Sequence, residues 1–75
     1  MMARNSYGDR AAGPVAAIVD IIVRAARGHE LSTRRTAEQY GVSVRTAERY
    51  IALASRYVPL AKLRPGIYRA QEEHL

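Results

Sequence analysis

Residues 32–56, STRRTAEQYGVSVRTAERYIALASR, constrain the fold more than any other stretch of the chain. Two short helical patterns flank a break at Gly41-Val42-Ser43. Ser32 suits an N-cap, because its hydroxyl can accept from an orphan N–H of the first helical turn. Arg35 stands where a capping box would place Glu or Gln, so no reciprocal cap is expected. The first helix of the pair is predicted over 33–40, with Ala37 and Tyr40 inward. Gly41 ends it in a left-handed conformation that a residue without Cβ reaches cheaply. Val42 anchors the turn. Ser43 caps a second helix, predicted from 44 to about 57. On its wheel Ala47, Tyr50, Ile51 and Ala54 share one face, while Arg45, Arg49, Ala52 and Arg56 share the opposite one. Leu53, beside the charged face, has no assigned role.

Upstream, Pro14 stands where a first helical residue often does, and 15–27 is helical in period. Val15, Ile18, Val19, Ile22 and Ala26 fall on one face and are the expected inward residues. Asp20, Arg24 and Arg27 form a polar strip, with Asp20 and Arg24 paired at i,i+4. Gly28 is the expected C-cap. Ile21 and Val23 widen the apolar arc to roughly 200°, about twice what a surface helix needs. A strand or a second subunit is therefore expected to cover its flanks. His29-Glu30-Leu31 is a short link with extended character.

Downstream, Pro59 stops any helix. Residues 60–63 and 67–70 suit two strands, joined by Arg64-Pro65-Gly66 with Pro at i+1 and Gly at i+2 of a turn. Lys62, Arg64 and Arg69 make this hairpin basic. Residues 1–13 lack periodicity and are expected to form an arm carrying Arg4 and Arg10. Residues 71–75 form an acidic-leaning tail with no visible role. One domain over 14–70 follows, mainly α with a small β-hairpin.

Seventy-five residues cannot bury a large core. With no Trp or Phe, this one must rest on a few Ile, Val, Leu and Tyr side chains. Twelve Lys+Arg against seven Asp+Glu give a net charge of +5, and eleven of the twelve are Arg. Such a balance suits a polyanionic partner, and Arg makes planar bidentate contacts that Lys cannot. A GC-rich genome explains part of the Arg excess but not where the arginines sit. No cysteine means no disulfide and no thiolate metal site. No apolar run reaches membrane-spanning length, and the N-terminus lacks the apolar region of a secretory signal. A cytoplasmic protein is the simplest expectation.

The order helix, helix, turn, helix, hairpin resembles a winged helix-turn-helix. Ala37, Gly41, Val42, Ala47 and Tyr50 or Ile51 match the small, glycine and apolar positions of that motif. LSTRRTAEQYGVSVRTAERYI resembles the signature of DeoR-type repressor DNA-binding domains, and the likeness covers about residues 15–70. Two departures stand out. The chain has no room for the ligand-sensing domain of those repressors, and Thr36 occupies a position usually held by a branched aliphatic, which weakens the expected packing of helix two. Over residues 31–70 alone, AEQYGVSVRTAERYI followed by VPLAKLRPGIYRA is similar to small excisionase-like winged proteins, although the helix over 14–27 departs from that class.

The resemblance implies binding of double-stranded DNA by a small repressor-like regulator, with the 44–57 helix in the major groove and the 60–70 hairpin as a wing. Val44, Arg45, Glu48 and Arg49 are the expected base readers, with Glu48 either accepting from cytosine or orienting an arginine. Ser43 and Thr46 are expected to donate to phosphate. Arg34 and Arg35 are expected to hold the backbone, and Arg56, Lys62 and Arg64 to track it or to enter a minor groove. The tyrosines are expected in the core, with Tyr68 the one candidate for base stacking. The over-wide apolar arc of the first helix points to a homodimer. The alternatives are an architectural DNA factor for recombination or packaging, and a winged helix that binds only protein. No acid–base pair, nucleophile or phosphate loop suggests an enzyme, and nothing points to a metal, a cofactor or a small-molecule ligand.

Overall fold

The computed structural model describes residues 13–71. Apart from Gly13 and Gln71, the expected arm and tail lie outside the described residues. Three helices and three short strands follow in order: α1 (Gly13–Ala26), β1 (Leu31–Ser32), α2 (Thr33–Tyr40), α3 (Val44–Ala54), β2 (Leu60–Arg64) and β3 (Ile67–Ala70). The fold is mainly α with a small hairpin, as expected.

The predicted caps form. At the end of α1, His29 N–H donates to the Arg24 carbonyl at 3.1 Å and Gly28 N–H to that of Ala25 at 2.9 Å, the paired bonds of a Schellman closure. Ser32 Oγ accepts from Arg35 N–H at 3.2 Å, and α2 keeps the bounds its pattern predicts. Gly41 lies at φ 66°, ψ 37°, a left-handed position that costs a Cβ-bearing residue free energy. That turn lets Gly41 and Val42 both donate to the Ala37 carbonyl. Ser43 Oγ accepts from Thr46 N–H at 3.0 Å and starts α3.

Helix α3 is shorter than expected and stops at Ala54 rather than near Tyr57. Arg56 and Tyr57 donate three residues back, to Leu53 and Ala54 at 3.1 and 2.9 Å, which tightens the coil. Pro59 disfavours helical backbone at Val58, so the chain must leave the helix beforehand. Arg56 therefore sits on a turn. Tyr57, expected in the core, is 67% exposed.

The strands form one antiparallel sheet in the order β1-β3-β2. Gly66, at φ 78°, takes the i+2 place of the expected turn. One extra residue of β2, Leu63, lies between the pairs Lys62–Tyr68 and Arg64–Ile67, as in a β-bulge. Strand β1 was expected only as a partly extended link. It pairs Leu31 with Tyr68 and Ser32 with Ile67. Thr33 then clamps the hairpin turn, its N–H and Oγ1 both donating to the Gly66 carbonyl at 2.9 and 3.2 Å.

Ile21, Ala25, Leu31, Ile51, Ala54, Val58 and Ala70 form the core, with Ile18, Ile22, Tyr50, Leu60 and Tyr68 packed against it. The inward face of α1 differs from expectation by roughly a quarter turn. Ala17, Ile21 and Ala25 are buried, whereas Val15 is 74% and Val19 52% exposed and Ala26 is exposed. Asp20 is half-buried, not part of a purely solvated strip. It accepts from Arg24 Nε at 3.2 Å and from the Tyr40 hydroxyl, which ties α1 to α2. Thr36 is buried in the place of the expected aliphatic, and among the described residues no buried side-chain polar atom lacks a partner.

Candidate nucleic-acid interface

Two buried alanines lie on the helices that position α3. Ala37 on α2 and Ala47 on α3 are both buried, and α2 packs directly on α3. Small side chains at such a crossing let the helix axes approach closely. Ala47, Ile51 and Ala54 turn inward, so Val44, Arg45, Glu48, Arg49 and Ala52 are left exposed. This is the division of faces that the sequence predicts.

The hairpin turn stands beside the first turns of α3. Thr33, Arg34, Val44, Glu48, Pro65 and Gly66 line a groove of about 380 Å³ between them. The Thr33 clamp on Gly66 holds this spacing. Thr33, Pro65 and Gly66 join the site although nothing local in the sequence marks them for it. The Pro-Gly turn was readable, but the hydrogen bond that brings it to α2 spans 33 positions of chain.

Glu48 orients no arginine among the described residues. Among the described residues Glu48, Arg45 and Arg49 form no ion pair. Glu48 instead lines the groove, and also a smaller pocket of about 210 Å³ with Leu60 and Tyr68. Tyr68 is half-buried against the core, so its ring is not a free stacking platform. Ser43 is committed to its helix: its Oγ accepts from Thr46 N–H, and its hydroxyl donates to Thr46 Oγ1 at 3.0 Å. Thr46, half-buried, keeps its own hydroxyl proton to donate.

The residues expected to hold a backbone do not share one surface. Arg34 lines the groove beside α3. Arg35, one position on and about 100° around the helix, lines a different cleft with Arg24, Glu30 and Arg64. Arg64 is ion-paired there with Glu30 at 3.6 Å. Arg69 donates through Nε to the Gly28 carbonyl at 3.0 Å and fastens the hairpin to the end of α1. Lys62 and Arg56 are exposed. No helix among the described residues is long and apolar enough to cross a membrane.

Compared with family models, with curated proteins and with solved structures, the chain matches none.

Proposed function

We propose that this chain is a sequence-specific binder of double-stranded DNA, a small cytoplasmic transcriptional regulator of the winged helix-turn-helix kind. The observation that carries the reading is the exposed start of α3, with Val44, Arg45, Glu48 and Arg49 beside a groove walled by the hairpin turn. A helix of this width fits the major groove of B-DNA, and its N-terminal half reaches the base edges. Arg45 and Arg49, which form no ion pair among the described residues, fork onto guanine O6 and N7. Val44 meets a thymine methyl, and Glu48 accepts from a cytosine amino group. Arg34 and Thr46 hold the phosphates that flank this helix, and the Pro65-Gly66 turn rides the backbone as a wing. The cap geometry at Gly41 and the burial of Ala37 and Ala47 support the likeness to DeoR-type domains.

The regulator acts as a homodimer in this reading. Its support is the run Val15, Val19 and Val23 on α1, exposed at one-turn intervals, an apolar strip that a second copy would cover.

Selection of bound duplexes from a random pool, with stoichiometry, tests the proposal. Arg49→Ala is expected to weaken specific binding by about 1–3 kcal/mol and to relax one base position. Arg34→Ala is expected to weaken binding to all sequences and to flatten its salt dependence. Equal losses for both variants on selected and random duplexes would overturn this division of roles.

A further inference from the structure

A second cationic surface lies on the other flank of α2, where it shares only Ser32 and Ile67 with the groove beside α3. Its centre is a cleft of about 380 Å³ lined by Arg24 of α1, Arg35 of α2 and Arg64 of β2 together with Glu30. The three arginines come from three different elements, and 40 positions of chain separate the first from the last. Arg24 and Glu30 also line an adjoining open depression with Asp20, Arg27 and His29, so the charged surface continues past the cleft. The walls are held independently of any ligand. The Tyr40 hydroxyl reaches Asp20 across one side. Arg69 binds the Gly28 carbonyl behind another, and β1 pairs with β3 beneath.

We propose that this cleft is an oxyanion site that takes a phosphate group. Arg35 makes no ion pair among the described residues, so its guanidinium is available at no cost in broken contacts. Arg24 and Arg64 are paired with Asp20 and Glu30, but these side chains are 42–61% exposed and the separations are 3.2 and 3.6 Å. Exposed pairs of this kind hold weakly, so a phosphate can exchange for the carboxylate. Guanidinium groups match phosphate oxygens in planar, two-pronged contacts. Glu30 is then the resident competitor: it occupies Arg64 until a phosphate displaces it. The phosphate comes either from a nucleic-acid backbone or from a small phosphorylated molecule, and the chemistry of the cleft is the same for both.

The test uses the full chain. Inorganic phosphate is titrated against chloride at constant ionic strength, followed by NMR through backbone amides and arginine Nε–H signals. Saturable shifts confined to Arg24, Ser32, Arg35, Thr36 and Arg64 are expected. Arg35→Ala, an exposed change, is expected to weaken phosphate about tenfold, the order of one charge-assisted hydrogen bond. Glu30→Gln is expected to tighten it about threefold by removing the competitor, a gain that no general loss of folding imitates. A non-saturating response, shifts centred on Arg45 and Arg49, or an unchanged affinity in both variants overturns the proposal. A second arm measures a short random duplex. If Arg35→Ala weakens that binding and lowers its salt slope, the phosphate is a backbone phosphate. If duplex binding is unchanged while phosphate binding is lost, the source is a small molecule. The phosphate titration contains no DNA, so failure of the DNA-binding reading leaves its outcome standing.

Discussion

Helix α3 carries arginines opposite Ala47, Ile51 and Ala54, whereas α1 carries valines opposite Ala17, Ile21 and Ala25. The two helices pack against each other, and both bury alanines with one isoleucine between them. Their outward faces set them apart. On α3 the contrast between charge and hydrocarbon marks the inward side, because exposing Ile51 and burying Arg49 would cost desolvation of a guanidinium. On α1 either apolar arc satisfies the hydrophobic effect about equally. The choice falls instead to shape. The arc with Ala17 and Ala25 leaves room for α3 to come close, and Ile21 fills the space between them.

The largest effect that would break this comparison is at Ile21, the most deeply buried large side chain among the described residues, at 1% exposure. Ile21→Ala is expected to lower stability by about 2–5 kcal/mol, as for other deeply buried aliphatic truncations. Urea unfolding measures it directly. A loss near zero would mean that α1 buries its valine arc after all. Next in size comes Ala47→Leu on the buried face of α3. The position is 0% exposed, and added methylenes there force the helices apart at about 1–3 kcal/mol. On the DNA-binding proposal, loss of binding should exceed the loss of stability in this variant, because the angle of α3 changes. Binding that survives at full strength would show that packing at Ala47 does not aim Arg45 and Arg49.

A smaller effect is expected at the turn that joins the helices. Gly41→Ala places a Cβ at φ 66°, which costs about 1–2 kcal/mol. Thermal unfolding should register it without any change in helix content. A neutral outcome would mean that the turn relaxes to another conformation, and the Ala37 carbonyl would then lose two donors.

The parts of the fold that were legible share a local cause. Caps at Ser32, Gly41 and Ser43 depend on residues within a few positions of each other, and so does the Pro65-Gly66 turn. Strand β1 was not legible, because two residues show no alternation and its partner, β3, lies more than 30 positions away. The site divides in the same way. Arg45 and Arg49 could be placed from the wheel of α3 alone. That Arg34 and Arg35 separate into two clefts needs the position of the hairpin. Arg64 belongs with Arg24 and Arg35 for a tertiary reason too: Glu30 and the sheet turn it toward α1.

The smallest expected effect is also the one that decides what covers α1. Val19→Ser changes a residue that is 52% exposed and should move the stability of an isolated chain by no more than about 0.5 kcal/mol. If Val19 lies against a second copy, the same change removes apolar surface from an interface and the loss grows with protein concentration, since subunit association is linked to folding. The paired measurement is therefore unfolding of both chains across a wide concentration range. A midpoint for the parent chain that rises with concentration, and a Val19→Ser midpoint that does not, would place the valine strip in a dimer. Two flat, coincident profiles would leave the strip exposed in solution, and the contrast between α1 and α3 would then be one of packing shape alone.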